Sequence, residues 1–279
     1  MIGLLRSILF VPGGRPDRFA KALASGADAV VFDLEDSVEA SRKADARRAI
    51  AAFLSAPSDA SVTRLVRVNA AGSPWFAGDL ECVGALGGID GAVLPKAEHP
   101  LHVEELARAT ATRTVIPLIE TARGVLDAPA IAGADARVPA LLFGAEDLTA
   151  QLGVPRTIDG DELVFARSQV ALAAAASGAD AVDAVFIDLH DADGLRRDAL
   201  RARALGFRGK MAIHPGQVAA INDVFTPAAA DVERARQLVD AYEAALARGE
   251  GVIRLDDRMI DTPVVERAKR LLARAKLGA

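Results

Sequence analysis

Two short apolar runs each end in a carboxylate: Val115-Ile116-Pro117-Leu118-Ile119-Glu120-Thr121 and Leu141-Leu142-Phe143-Gly144-Ala145-Glu146-Asp147. A short apolar run bounded by turn residues is typical of a strand buried on both faces. A carboxylate at the end of such a strand is partly removed from water and needs a partner. On neighbouring strands, Glu120 and Asp147 could together hold one hard divalent cation, with water and substrate oxygens in its other positions. Alternatively, Glu120 caps the following turn and Asp147 starts the next helix. We favour the metal interpretation because the two carboxylates occur together.

The rest of the chain repeats this alternation of short apolar runs and helical patterns. The predicted strands are residues 8–11, 29–32, 65–69, 92–96, the two carboxylate-ended runs, 182–189 and 210–213. Helices are predicted between them, for example over residues 16–24 and 39–54. Eight repeats without a dinucleotide-type glycine fingerprint predict a (β/α)₈ TIM barrel rather than a doubly wound open sheet.

Composition narrows the class of protein. Of the 279 residues, 51% are apolar but only 4% aromatic, so the core must consist of Ala, Val, Leu and Ile, which suits helices packed on a parallel sheet. The net charge of −5 and the absence of a basic run argue against a nucleic-acid partner. Cys82 is the single cysteine, so no internal disulfide is expected. With no signal peptide and no apolar run near the ~18 residues of a membrane span, we expect a soluble cytoplasmic protein.

The sequence predicts two parts: a barrel with the active site over residues 1–226, and a C-terminal helical extension over residues 227–279. The extension is predicted to contain a helix at 231–248, a short strand at 252–255 and a helix opened by Pro263. The first helix has one apolar face, formed by Val232, Ala235, Leu238, Val239, Tyr242, Ala245 and Leu246. A finished barrel has no room for this face in its core. We therefore expect the extension to pack on the outside of the barrel or on a neighbouring subunit.

Polar residues stand at the C-terminal ends of nearly all the predicted strands, where TIM barrels carry their active sites. They are Pro12-Gly13-Gly14-Arg15, Glu35, Asp36, Arg67, Lys96, Glu120, Asp147, Asp188 and His214. Arg67 presents a planar fork that could bind a substrate carboxylate with two hydrogen bonds, or could form an ion pair with Asp36 or Glu35. Lys96 and His214 are expected to support the site rather than to act in catalysis.

These residues lie in motifs that resemble a known family. The motifs are Arg6-Ser7-Ile8-Leu9-Phe10-Val11-Pro12-Gly13, Phe32-Asp33-Leu34-Glu35-Asp36-Ser37-Val38, Arg67-Val68-Asn69, Leu94-Pro95-Lys96, Ile119-Glu120-Thr121, Phe143-Gly144-Ala145-Glu146-Asp147-Leu148 and Ala212-Ile213-His214-Pro215. In this order they resemble the citrate lyase β-subunit-like family. That family is a branch of the HpcH/HpaI aldolase superfamily that includes malyl-CoA, citramalyl-CoA and β-methylmalyl-CoA lyases. The resemblance covers nearly the whole chain but does not identify the substrate.

The resemblance implies a Mg²⁺-dependent carbon–carbon lyase that cleaves or forms a β-hydroxyacyl thioester, with a 2-oxo acid and an acyl-CoA as the other partners. Glu120 and Asp147 match the metal ligands, with Glu120 also at the substrate, and Arg67 matches the carboxylate binder. The positions expected to hold CoA are Phe10, Arg15 and Lys21. Those expected to support the ligands are Glu35, Asp36 and Lys96.

The resemblance extends to the tail segment Met259-Ile260-Asp261-Thr262-Pro263. In the family, the aspartate of this motif reaches the active site of a neighbouring subunit. Asp261 is therefore expected to transfer a proton in the site of an adjacent chain of a homo-oligomer, a trimer or a hexamer. Alternatively, the tail packs on its own barrel and Asp261 caps the helix at Pro263. One departure is Asp257, which stands where the family usually has glycine.

Three functions remain open from the sequence. The first is the acyl-CoA lyase or Claisen-type synthase. The second is a thioesterase that uses the same metal and thioester site. The third is a binding or assembly protein, such as a citrate lyase β chain that works only with acyl-carrier partners.

Overall fold

The computed structural model describes residues 3–55, 62–110, 113–247, 249–255 and 258–277. The chain forms two units, Met1–Phe225 and Thr226–Ala279. Asp257 and the predicted helix end at residue 248 lie outside the described residues.

The first unit contains a closed barrel in which each strand pairs in parallel with the next and the last pairs with the first. The strands are β1 Ser7–Pro12, β2 Ala29–Asp33, β3 Thr63–Arg67, β4 Gly91–Leu94, β5 Thr114–Ile119, β6 Ala140–Phe143, β7 Asp180–Asp183 and β8 Gly209–Ala212. The predicted (β/α)₈ TIM barrel with C-terminal helices is thereby confirmed.

Helices follow the strands around the barrel. They are α1 Phe19–Leu23, α2 Lys43–Leu54, α3 Phe76–Ala85, α4 Pro100–Ala109, α5 Ala122–Ala132, α6 Glu146–Leu152, α7 Val164–Ser177, α8 Ala192–Ala204 and α9 Val218–Phe225. The first two predicted helices each begin with a 3₁₀ turn, Pro16–Arg18 and Ala40–Arg42. Among the described residues, no helix is long and apolar enough to cross a membrane.

Side chains of the strands alternate between the barrel interior and the surrounding helices. Ile8, Leu65 and Met211 belong to the interior core. Phe32 and Phe143 point outward into the larger core between strands and helices. Both cores consist mainly of Ala, Val, Leu and Ile, as the composition predicts.

The prediction for the seventh strand is wrong in position, since β7 ends at Asp183 instead of extending to residue 189. Ile187, Asp188 and Leu189 are exposed in the following loop. The strand begins two residues earlier, at Asp180, and ends at Asp183, which is fully buried. A buried aspartate is unfavourable in a strand unless charged partners meet it, and those partners are distant in sequence.

The partners of Asp183 form a buried ion network between the barrel wall and its helices. Asp183 accepts hydrogen bonds from Arg167 of α7, at 2.9 and 2.7 Å, and from Lys210 of β8, at 2.6 Å. Asp198 of α8 pairs with the same two cations. Burial alone would raise the pKa of Asp198, but the charges of Lys210 and Arg167 lower it to about 2. The network therefore holds β7, β8, α7 and α8 together through ionised groups.

The second unit contains the helix α10 Ala229–Leu246, the hairpin of β9 Ile253–Leu255 and β10 Arg258–Ile260, and the helix α11 Thr262–Leu277. The predicted apolar face of α10 packs within this unit, against Ile260 and against Val265 and Ala268 of α11. Within the described residues, Ala235, Val239 and Tyr242 of this face are thus buried against the unit's own second helix and hairpin. Leu246 does not belong to the face, because half of it is exposed.

Candidate active site

A cavity of about 440 Å³ lies at the C-terminal ends of the barrel strands. Its charged lining consists of Asp33, Asp36, Arg67, Glu120, Glu146 and Asp147. Its apolar lining includes Phe10, Leu118, Val185, Met211 and Ile213. The fold therefore brings Glu120, Asp147 and Arg67, which were predicted from three separate strand ends, to one cavity.

Glu120 follows β5 directly and is 3% exposed. The backbone N–H of Lys96 donates to its Oε1 at 2.9 Å. Burial and the negative charge of Glu35 raise the pKa of Glu120 to about 8, and Asp147 adds to this effect. A β-carbon on Gly144 would lie 2.6 Å from Glu120 Oε2, so glycine is what leaves room for this carboxylate. Glu120 does not cap the following helix, because the Thr121 side chain does so.

Asp147 lies in the first turn of α6, where its side chain is 39% exposed. Its Oδ1 is 3.8 Å from the Lys96 ammonium. The alternative interpretation of Asp147 as a helix-start residue is thus correct for its backbone, but it leaves the carboxylate in the cavity lining. A helix start and a ligand position are compatible at this residue.

Arg67 is the last residue of β3, whereas the predicted strand continued to residue 69. Its Nε and Nη2 each donate to Asp33 at 2.7 Å, and its Nη1 lies 2.7 Å from Glu35 Oε2. The predicted ion pair thus exists with Glu35 and with Asp33, not with Asp36. Burial would lower the pKa of Arg67, but the charges of Asp33 and Glu35 raise it, so the guanidinium stays ionised. It lies 5.2 Å from the centroid of the Phe10 ring.

Glu35 is buried behind the cavity, where it is shared by two cations. One oxygen contacts the Lys96 ammonium. The other, Oε2, is within ion-pair distance of Arg67 but makes no hydrogen bond of acceptable geometry within the described residues. The contact between Glu35 and Arg67 is therefore an ion pair rather than a directed hydrogen bond. Glu35 therefore retains an acceptor oxygen facing the site's cations.

A second set of polar residues, which was not predicted from the sequence, lies behind the end of β2. The buried Lys43 ammonium donates to the backbone oxygens of Leu34 and Glu35, at 2.7 and 2.8 Å, and to Asn69 at 2.6 Å. It also lies 5.0 Å from the centroid of the Trp75 ring. Lys43 could have been noticed, because it begins the buried stripe of α2. It fixes the backbone that carries Glu35.

Asn69 is held in turn by Asp79 of α3. Its backbone N–H and its side-chain amide both donate to Asp79 Oδ2, at 2.7 and 2.6 Å. Arg47 of α2 donates to the other oxygen of Asp79 at 2.6 Å. This chain of bonds joins α2, α3 and the end of β3 behind the cavity.

The remaining predicted residues lie apart from the cavity lining or at its edge. Arg15 and Lys21 are exposed on the segment after β1, and Arg15 pairs with Asp17. His214 is exposed and accepts a bond from the backbone of Gly216, as a turn cap. In the second unit, Asp261 Oδ1 accepts from the Val264 N–H at 3.4 Å, at the start of α11. That contact agrees with the capping interpretation and leaves the trans-acting role as a prediction.

The donor set suits a hard divalent cation with open positions. Among the described residues, no three His, Cys, Asp or Glu side chains form a ready metal-binding cluster. Two carboxylates, Glu120 and Asp147, are what the sequence predicts for a cation that keeps positions for water and substrate. Burial and the charge of Glu35 raise the pKa of Glu120, so its ionised form is disfavoured without a cation and would be stabilised by a bound one. The residues present therefore fit Mg²⁺.

Comparison with known proteins places the chain in a family. The family model described as HpcH/HpaI aldolase/citrate lyase matches residues 6–215. The chain is 42% identical to a citrate lyase subunit beta-like protein of Deinococcus radiodurans, with 97% of each chain covered. It is 34% identical to a (3S)-malyl-CoA thioesterase of Cereibacter sphaeroides, covering 97% of this chain and 94% of that one.

A solved structure shows the same likeness in three dimensions. It is the crystal structure of the protein CitE from Mycobacterium tuberculosis in complex with magnesium, acetoacetate and coenzyme A. It matches with a TM-score of 0.82 and 38% sequence identity, and 97% of each chain is covered. The chain therefore belongs to the HpcH/HpaI aldolase/citrate lyase family and is an enzyme of the citrate lyase β-like type.

Proposed function

We propose that the protein is a Mg²⁺-dependent carbon–carbon lyase that cleaves or forms a β-hydroxyacyl-CoA thioester, yielding a 2-oxo acid and an acyl-CoA. The observation that carries this proposal is the meeting of Glu120, Asp147 and Arg67 in one cavity, with Glu120 buried. The magnesium and coenzyme A bound by the similar Mycobacterium tuberculosis protein support the same reaction class.

Glu120 and Asp147 would hold the metal. Bound Mg²⁺ would supply Lewis-acid polarisation of the substrate's hydroxyl or carbonyl oxygen. Glu120 is held in place by the Lys96 N–H and by the close approach of Gly144, so its oxygens are positioned before any ligand arrives. Asp147, more exposed, faces the same cavity from the start of α6.

Arg67 would bind the carboxylate of the 2-oxo acid. A guanidinium carries more N–H donors than Asp33 takes, so the remaining N–H groups can meet a substrate oxygen. Asp33 and Glu35 fix the plane of the guanidinium and thereby the direction of those donors. The substrate's carboxylate would then be oriented as well as bound.

The cleaved bond joins the acyl α-carbon to the hydroxyl-bearing carbon. Its electron pair passes to the α-carbon as a thioester enolate, while the hydroxyl oxygen loses its proton to solvent and becomes the carbonyl oxygen of the 2-oxo acid. We assign to Asp261 of an adjacent chain the delivery of a proton to the α-carbon, and its removal in the synthetic direction. Phe10, Arg15 and Lys21 would hold CoA, with the two exposed cations available to its phosphates.

The decisive experiment is turnover of a panel of CoA esters with Mg²⁺, in which free thiol and 2-oxo acid are followed separately. Lyase action releases a 2-oxo acid and leaves the thiol acylated. Glu120→Gln and Asp147→Asn should abolish turnover. Glu104→Gln and Asp127→Asn, the same changes at helix positions outside the cavity lining, should not. Wild-type turnover by a cavity variant in chelator-washed buffer resupplied with Mg²⁺ would refute the assignment.

A thioesterase is the second candidate, because one relative carries that activity in its name. It would release free CoA without a 2-oxo acid in the same panel. A citrate lyase β chain that needs carrier partners would turn over none of the free CoA esters.

For the assembly, we propose a homotrimer or hexamer. Light scattering of the purified protein would measure its mass in solution directly.

A further inference from the structure

Lys96 contacts both candidate metal ligands, Glu120 through its backbone and Asp147 through its side chain. Its backbone N–H donates to Glu120 Oε1 at 2.9 Å, which favours the ionised carboxylate. Its ammonium lies 3.8 Å from Asp147 Oδ1 and pairs with Glu35 and with Asp36, the latter at 3.4 Å. The positive charge is thus placed where it would repel a cation bound to Asp147.

The backbone of Lys96 adopts a conformation that is unfavourable for a residue with a side chain. Its φ is +47°, and among the described residues it is the single non-glycine residue with positive φ. This left-handed conformation costs a residue with a β-carbon on the order of 1 kcal/mol. Glycine would adopt it without that cost. The three carboxylates around the ammonium are the contacts that a glycine would lose.

The charges around the cavity explain what the ammonium would do. Five carboxylates and one guanidinium line the cavity, and that guanidinium is already paired. Such a surface attracts cations and repels a 2-oxo acid, which is an anion. An added ammonium at its edge, 31% exposed, acts on the two ligands in opposite directions.

We propose that Lys96 sets the balance between cation and anion binding in the candidate site: its ammonium weakens the binding of the divalent cation and strengthens the binding of the 2-oxo acid. The inference rests on the proposed function, in that Glu120 and Asp147 are taken as the cation's ligands. The ammonium would then offset part of the negative cavity lining, so that the anionic acid can bind beside the cation.

The test measures Mn²⁺ binding by electron paramagnetic resonance, and pyruvate binding at saturating Mn²⁺ by calorimetry. Lys96→Met and Lys96→Gly should each bind Mn²⁺ about ten-fold or more tightly and pyruvate about ten-fold or more weakly than wild type. Lys96→Arg keeps the charge and should stay close to wild type for both. Arg108→Gln removes one positive charge from α4, outside the cavity lining, and is the matched control.

Lys96→Gly also guards against a folding artefact, because it keeps the N–H to Glu120 and suits the left-handed backbone. Its melting temperature should not fall below that of Lys96→Met. If Lys96→Met and Lys96→Gly weaken the binding of both Mn²⁺ and pyruvate, or change the affinity for neither, the inference is wrong and Lys96 has a structural role. If Asp147→Asn leaves Mn²⁺ binding unchanged, the metal site itself is wrongly assigned. Loss of Mn²⁺ binding in Asp147→Asn, without tightening in Lys96→Met, overturns the role of Lys96 alone.

Discussion

Gly144→Ala tests the metal site through its shape rather than its charge. Gly144 follows β6, and a β-carbon added there would lie 2.5 Å from Glu120 Cβ and 2.6 Å from Glu120 Oε2. Ordinary contacts begin at 3.4 Å, so the methyl group is about 1 Å too close. Glu120 is buried and bonded to Lys96, so it cannot move away without losing that bond.

The expected cost follows from these distances. Overpacking of this kind destabilises a protein by about 1–3 kcal/mol. Metal–ligand distances tolerate only about 0.2 Å, so a shift of about 1 Å in Glu120 should lower Mn²⁺ affinity by about ten-fold or more. The substitution should therefore cost more in metal binding than in folding.

The assay compares Mn²⁺ titrations and thermal melts of wild type, Gly144→Ala and Gly133→Ala. Gly133 ends α5 with φ −91°, and the nearest atom to an added β-carbon is 3.6 Å away, so alanine is accommodated there. Mn²⁺ affinity of Gly144→Ala within two-fold of the Gly133→Ala value would refute the reasoning. In that case Glu120 either tolerates the shift or does not bind the metal.

Three further predictions concern other parts of the molecule. The pKa of Asp198 is lowered to about 2, so its stabilising contribution is present above its unfolded pKa and is lost as pH falls from about 4 to 2. Asp198→Asn should therefore reduce the loss of unfolding free energy on acidification, measured by denaturant melts from pH 6 to about 2; an unchanged pH dependence would contradict this. Arg67→Lys should weaken pyruvate binding far more than CoA binding in calorimetry, since a point charge cannot replace the fork; equal losses would favour a purely structural ion pair. Mixing inactive Asp261→Ala with inactive Glu120→Gln, after dissociation and reassociation, should restore activity; mixed oligomers without activity would place Asp261 outside the neighbouring site.

The barrel could be predicted because apolar runs of strand length and helical patterns are local signals. Glu120 was predictable for the same reason, since a carboxylate at the end of a buried run conflicts with its surroundings. Partners were not predictable in this way. Asp33 and Arg67 are register partners on adjacent strands, and that relation exists only once β2 and β3 are paired.

Two other differences between the structure and the sequence-based predictions also arise from contacts between distant segments. The seventh strand was predicted at 182–189 because its strand residues Asp180 and Asp183 are charged, and Asp183 is accommodated only through Arg167 and Lys210 of other elements. The packing of α10 against α11 was not predicted, because α11 follows α10 only after a hairpin. In each case, contacts between distant segments decided what local pattern could not.

The contact between Lys43 and Trp75 has an optical consequence. Trp75 is the single tryptophan of the chain, so fluorescence excited at the red edge of protein absorption comes from one location. That location is joined through Lys43 to the backbone of Glu35. Emission from Trp75 therefore reports on the back of the candidate site, and ligand titrations can be followed in the unlabelled protein.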